Sequence, residues 1–369
     1  MQLNADSRIV MTLDAGGTNL RFSAIRGNQV LFEPIHFPSE ADDLTRCLAN
    51  IVEGFTQVRA RCPAPPVAIS FAFPGPVDYP AGIVGDLGNL PGFRGGVALG
   101  PMLEEKFGLP TFLNNDGDLF TYGEAIGGFL PYVNQRLKTA GSAKQFKNLF
   151  GITLGTGFGA GIARGGELFI GDNAAAAEIW VSRGKLHNRC FVEEDVGIRA
   201  VQRVYAEHSK VKHAETPTPK DIYEFATGSG AGDRQAAILA FETLGEAIGD
   251  ALANAITLVD GLVVIGGGLS AAAPLFMPRL VAEMNGTIET LDGRQIPRME
   301  LKAFNLEDEA AFAAFARGEA RRITVPGSTR QLTYDPLKRI GVGLSRLGTS
   351  EAVSVGAYAF ALHELDRTR

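Results

Sequence analysis

With 369 residues, 45% of them hydrophobic and 21% charged, the chain has material for two compact domains with a sizeable core. A formal net charge of -6 argues against a broad nucleic-acid footprint, while leaving room for small anions held by backbone N–H groups. Cys47, Cys62 and Cys190 form no CxxC pair, which speaks against a disulfide framework or a cysteine-rich zinc site.

No basic segment followed by an apolar run opens the chain, and its apolar stretches are short or broken by Gly and Pro. A cytoplasmic protein with no membrane contact is therefore expected. In chain order, Arg8 to Leu13 reads as a strand, joined by Asp14-Ala15-Gly16-Gly17-Thr18-Asn19 to a second strand, Leu20 to Ile25. Asp42 to Arg61 has helical periodicity, and Val67 to Phe73 is a buried strand running into Pro74-Gly75-Pro76. Met102 to Phe107 is a short helix, Thr111 to Leu113 a strand, and Asp118 to Ile126 a helix with Asp116 or Gly117 near its cap. Pro131 to Asn148 is polar and weakly patterned, as an insertion or linker would be.

Leu149 to Leu154 is a strand feeding Gly155-Thr156-Gly157-Phe158-Gly159, followed by Ile162-Ala163 and a Gly165-Gly166 turn. This second unit repeats the outline of the first, strand, glycine turn, strand, and so predicts two similar α/β halves. Ile198 to Tyr205 and the alanine-rich Arg234 to Val259 read as helices. Leu262 to Ile265 is a buried strand ending in Gly266-Gly267-Gly268, Pro274 to Met284 a helix, 286–335 a polar stretch of mixed signals, and Ala352 to Leu365 the last helix. Trp180 reads as a core residue, although a lone aromatic can also floor a sugar site, and the five histidines show no metal-ligand spacing.

Three glycine clusters follow apolar runs, the placement that lets backbone approach a ligand. At the first, Gly16, Gly17 and Thr18 offer donors to an anion, and Asp14 can hold Mg²⁺ directly or through water. Taken singly, this turn and the Gly155–Gly159 turn are equally well read as plain hairpins, and the Gly266–Gly268 run as a tight strand-to-helix turn. Two such turns, one in each half, could grip a polyphosphate from both sides. Asp116 is the carboxylate best placed to accept a proton from an alcohol, with Asn115 beside it; the bland alternative is a helix cap. Glu178 follows the small-residue run Ala174 to Ala177, and Glu193, Glu194 and Asp195 form an acidic cluster that could equally be a solvated face or a helix N-terminus.

Together these segments resemble the ROK family (repressor, open reading frame, kinase) of actin-like, hexokinase-type ATPases. LDAGGTNLR is similar to its first phosphate motif, FAFPGPVD to its PGPV loop, and NNDGDLFTYGEA to the NDxxxxxxGE segment with the catalytic aspartate. ITLGTGFGAGI is similar to its second phosphate motif and VVIGGGLS to its adenosine motif. The resemblance implies two RNase H-like α/β domains with mixed sheets flanked by helices and a cleft between them. The expected boundaries are 1–116, joined by the C-terminal helix about 350–369, and 117–349. It implies MgATP as donor and a hexose as acceptor, with Asp116 as base. Asn89, Asn115, Glu178 and Glu193 or Glu194 would be the sugar contacts. Asp14, Gly16, Gly17, Thr18, Asn19, Gly155, Thr156, Gly157, Gly266, Gly267 and Gly268 would hold the nucleotide. A homodimer is expected on the same ground.

Glu178 is followed by Ile179-Trp180-Val181 where the family commonly has xGH, and CxCGxxGC is missing, so no structural zinc is expected. The chain looks closest to the zinc-free hexokinase or glucokinase branch. An N-acetylglucosamine or N-acetylmannosamine kinase is the alternative. A sugar-sensing repressor is disfavoured, because about a dozen residues precede Asp14, too few for a helix-turn-helix.

Overall fold

The computed structural model describes residues 3–367, apart from Gly17, Pro76, Asn89, His213 and Ala214. It is a mixed α/β protein of the expected class, and divides into two compact units. The first comprises Met1–Gly128, Gly161–Ala177 and Leu347–Arg369; the second comprises Phe129–Ala160 and Glu178–Arg346.

The first unit is built on strands β1 (Val10–Ala15), β2 (Asn19–Arg26), β3 (Gln29–Val30), β4 (Ile35–Pro38), β5 (Ala68–Ala72) and β8 (Thr111–Asn114), with β6 (Val77–Asp78) and β7 (Ile83–Val84) as a separate small hairpin. The order is β3-β2-β1-β5-β8, with β4 also pairing with β2. β1 runs antiparallel to β2 and parallel to β5, and β5 runs parallel to β8. Alternation along the strands gives each face its own chemistry. Met11, Leu13, Phe22, Ile69 and Phe71 join one core with Ile51 and Phe55 of α1 (Leu44–Arg61) and Leu99 and Leu103 of α2 (Leu99–Phe107). Asp43 starts α1 by accepting the Arg46 N–H.

Two helices of this unit, α3 (Asp116–Ile126) and α10 (Thr349–Arg367), pack along each other with almost no side chain between them. A Cβ on Gly123 would sit 1.9 Å from the Ala352 carbonyl oxygen, and one on Gly356 would sit 2.0 Å from that of Leu119. Reciprocal glycines therefore set the separation of the two backbones. Glu124, wholly buried in α3, accepts the N–H of Leu347 just ahead of α10.

The second unit repeats the plan. The chain's other large sheet has the order β11-β10-β9-β12-β18-β15, from β9 (Asn148–Leu154), β10 (Phe158–Arg164), β11 (Glu167–Leu168), β12 (Leu262–Gly266), β15 (Lys302–Asn305) and β18 (Arg339–Leu344), of which β9, β12, β15 and β18 lie wholly in the second unit. β9 and β18 lie on either side of β12, both parallel to it, as β1 and β8 flank β5. The helices are α5 (Ile198–Ser209), α6 (Pro219–Thr227), α7 (Arg234–Val259) and α8 (Ala273–Met284), and the alanine-rich α7 packs closely on α8.

Two stretches differ from the sequence expectation. Residues 131–148 are not a linker: α4 (Phe129–Thr139) occupies the first part and buries Phe129, Leu130, Val133 and Leu137. Pro131 lies in its first turn, where a missing N–H costs nothing. Residues 286–335 contain two exposed hairpins, β13 (Thr287–Glu289) with β14 (Gln295–Pro297) and β16 (Arg321–Thr324) with β17 (Gln331–Tyr334), around β15 and α9 (Glu309–Arg317). Trp180 is not a core residue: it is 38% exposed and packs edge-on against Phe191.

If the α3–α10 contact is the brace of the first unit, Gly123→Ala should lower the denaturant midpoint, with a loss of about 2 kcal/mol or more from overpacking. Urea unfolding followed by circular dichroism measures it, and an unchanged midpoint would remove this contact from the account.

Candidate active site

In the first unit the C-terminal ends of the parallel strands β1, β5 and β8 carry Asp14, Phe73-Pro74 and Asn115-Asp116 side by side. This is the edge at which open α/β sheets bind ligands. The three ends are joined by backbone: Phe73 N–H donates to the Asn114 carbonyl, 3.0 Å. Asn115 caps α3 by accepting the Gly117 N–H at 2.8 Å, and Asp116 accepts the same N–H at 2.9 Å. Asn115 Nδ2 lies 3.4 Å from the Tyr79 hydroxyl, which donates to the Phe73 carbonyl at 3.1 Å. The PGPV segment thus orients Asn115 through a buried tyrosine.

A cavity of about 330 Å³ opens at this edge. Asp14, Gly16, Pro74 and Asp116 line it, together with Thr12, Arg21, Ser23, Thr349, Ser350 and Ser354. Thr12 and Ser23 pair across β1 and β2, 2.7 Å apart. Arg21 stands opposite Asp14 in the same ladder. Sequence reasoning passed over Arg21, Thr12 and Ser23. The signal was available for Arg21, which ends the motif LDAGGTNLR, whereas the hydroxyls emerge only from strand register. Thr18 and Asn19 are exposed at the turn, where Gly16 N–H donates to the Asn19 carbonyl at 2.9 Å. Gly17 and Asn89 lie outside the described residues. A larger hollow, about 1290 Å³, runs along α4 and α9 in the second unit and holds none of the predicted residues.

Asp116 reaches solvent at the cavity wall, yet protein crowds it closely. That crowding pushes its carboxyl above the ordinary aspartate value, the Asp14 charge pushes the same way, and the Gly117 N–H bond opposes both. Among the described residues no group of three or more His, Cys, Asp or Glu is placed to hold a metal. The donors at this edge are hard carboxylate oxygens of Asp14 and Asp116. They fit Mg²⁺, which keeps several waters and takes further ligands from phosphates rather than from an all-protein cage.

The second unit offers glycine turns at the equivalent edge. Gly155–Gly157 follows β9, with Gly155 N–H donating to the Gly157 carbonyl at 3.1 Å. Thr156 is exposed at its tip. Gly266–Gly268 ends the adjacent parallel strand β12. Gly267 has φ 87°, and a Cβ there would come within 2.3 Å of the Leu154 carbonyl oxygen, so a side chain would drive the two turns apart. Gly268 has open space around it.

The acidic cluster divides. Glu193 is half-buried and accepts the Phe158 N–H at 2.8 Å, directly beneath the Gly155–Gly157 turn. Glu194 is exposed, and Asp195 is buried in contact with His187 and Arg203. Asp195 is thus neither a solvated residue nor a helix cap. Glu178 is exposed and accepts from the Trp180 indole N–H. Just ahead of it, Ala174 and Ala177 hold left-handed backbone, with φ 50° and 62°, conformations that cost energy for a residue with a Cβ.

A family model described as ROK family matches residues 10–316. A glucokinase from Thermotoga maritima is 28% identical over 243 residues, covering 62% of this chain and 71% of that protein. An N-acetyl-D-glucosamine kinase from Photobacterium profundum is 25% identical over 307 residues, covering 78% of this chain and 91% of that one. Among solved structures, a glucokinase from Parabacteroides distasonis matches with 56% identity and a TM-score of 0.91, covering 98% of this chain and 99% of that one.

The raised carboxyl makes a stability prediction. Folded Asp116 holds its proton more tightly than the unfolded chain, so its ionisation costs stability as pH rises from the ordinary value of 3.8 through the folded value. Asp116→Asn should therefore raise Tm at pH 7, with the gain vanishing in acid. A calorimetric scan at both pH values tests this, and a lower Tm at pH 7 would contradict it.

Proposed function

This chain belongs to the ROK family, and we propose that it is an ATP-dependent hexokinase that moves the γ-phosphoryl group of ATP to the 6-hydroxyl of glucose or a close relative. The observation that carries the reading is Asp116: a carboxylate of raised proton affinity, at the head of a braced helix, lining one cavity with Asp14 and Arg21.

In this reading Asn115, oriented by Tyr79, holds sugar hydroxyls beside Asp116. Asp116 accepts the proton of the 6-hydroxyl as that oxygen bonds to the γ-phosphorus and the bond to the ADP oxygen breaks. A base whose proton affinity is raised takes that proton more readily near neutral pH. Asp14 would hold Mg²⁺, whose charge offsets that of the phosphate oxygens. Arg21 adds a fixed positive charge on the same wall. The backbone turns at Gly16, Gly155–Gly157 and Gly266–Gly268 are the segments that can approach phosphates and adenosine without side-chain obstruction.

The resemblance to the Photobacterium protein, which spans 91% of that chain, supports N-acetylglucosamine as the second candidate acceptor. In a coupled ADP assay over glucose, mannose, fructose, N-acetylglucosamine and N-acetylmannosamine, glucose should give the highest kcat/KM. Asp116→Asn should keep sugar affinity while kcat falls by ~10²–10⁴. Near-normal turnover in that variant would remove Asp116 as the base, and exclusive use of an N-acetylated sugar would move the assignment to the second candidate.

A further inference from the structure

In the second unit, three donors converge on one inaccessible carboxylate. The Asp195 side chain is 0% exposed. Its Oδ2 accepts the His187 backbone N–H at 3.2 Å, and its Oδ1 accepts from His187 Nδ1 at 2.5 Å and Arg203 Nη2 at 3.2 Å. A carboxylate only accepts, so Nδ1 carries the imidazole proton. In the neutral ring Nε2 is then the acceptor, and Arg203 Nη1 lies 3.4 Å from it. The same guanidinium donates from Nη2 to the Glu194 carbonyl at 2.8 Å. Gly184 leaves the carboxylate its space, since a Cβ there would lie 2.8 Å from Oδ2.

The group ties together three separate pieces of chain. His187 belongs to a small hairpin closed by the Arg183–Phe191 bridge and by Gly184 N–H donating to the Cys190 carbonyl. Asp195 and Glu194 belong to the 3₁₀ turn Val192–Asp195, and Arg203 to α5. Between the clamped residues stands Glu193. Its Oε2 accepts the Phe158 N–H at 2.8 Å, and a Cβ on Gly157 would lie 2.9 Å from the same oxygen. Ile198 N–H adds a bond to the Gly155 carbonyl at 2.9 Å, so both ends of the glycine turn are supported from this segment.

We propose that Asp195, His187 and Arg203 form a clasp that fixes Glu193 beneath the Gly155–Phe158 turn and thereby sets the backbone shape this turn offers to a phosphate chain. These are positioning residues, and Glu193 is a strut of the turn. The inference rests on the kinase reading only for its kinetic consequence.

Two measurements separate the parts. Amide hydrogen exchange of the 155–161 segment needs no activity. It should speed up at Phe158 by about tenfold, the loss of one well-made hydrogen bond, in Glu193→Ala, Arg203→Lys and Asp195→Asn. Glu193→Gln, whose amide oxygen still accepts the N–H, should retain protection. The double variant Arg203→Lys with Glu193→Ala should exchange no faster than Glu193→Ala alone, because both break one chain of contacts. Arg203→Lys keeps the charge and Asp195→Asn keeps the shape, so either one reads the clasp if the other melts early. In steady-state kinetics, KM for ATP should rise by about tenfold in these three variants, with KM for glucose within about twofold. The clasp is overturned if Arg203→Lys and Asp195→Asn leave Phe158 exchange unchanged, or if KM for glucose rises in place of that for ATP. A wild-type enzyme that phosphorylates no hexose sinks the kinase reading, while the exchange result still decides the clasp.

Discussion

Everything at the candidate site follows from where one carboxylate is held. Asp116 stands at the first position of α3, immediately after the strand that ends at Asn114, and α3 is pressed against α10 by glycines on both sides. Glycine contact of this kind leaves no side chain that can rotate to absorb a displacement, so the helix start inherits the rigidity of the helix pair. The carboxylate is consequently kept close to Asp14, a neighbour of the same charge, in a setting that disfavours ionisation. A folded chain accepts such an arrangement only where it is compensated elsewhere, here by the α1–β-sheet core and by the α3–α10 brace.

The two units use one plan for different ends. Each has a strand hairpin followed by parallel strands, and in each the ligand-facing chemistry sits where those strands finish. In the first unit those ends present carboxylates, hydroxyls and Arg21; in the second they present glycine turns, one of them strutted by Glu193.

Much of this was legible in the residues. The strands before Asp14, Gly155 and Gly266 stand out because continuous apolar runs end there at turn residues, and α7 because of its long alanine-rich run. The start of α3 at Asp116 was readable because an acidic residue follows a short strand there, a pattern that by itself also reads as a helix cap. What stayed hidden depends on tertiary partners. α4 looked like a linker because its exposed face is largely polar and its first turn holds a proline. The hairpins in 286–335 are exposed on all their residues, so they carry no buried face for periodicity to mark. Asp195 looked like a solvated acid; only the fold brings His187 and Arg203 to it across 8 residues in either direction. Trp180 misled because its size suggests a core residue, whereas its indole N–H is spent on Glu178 at the surface.

The role of Asp116 is tested most directly by the pH dependence of kcat/KM for the sugar, compared between the wild-type chain and the residual activity of Asp116→Asn. A base crowded by protein and faced by Asp14 should give an acid limb centred above the ordinary aspartate value of 3.8, and that limb should be missing from the variant. The same limb persisting unchanged without the carboxylate would show that another group takes the proton.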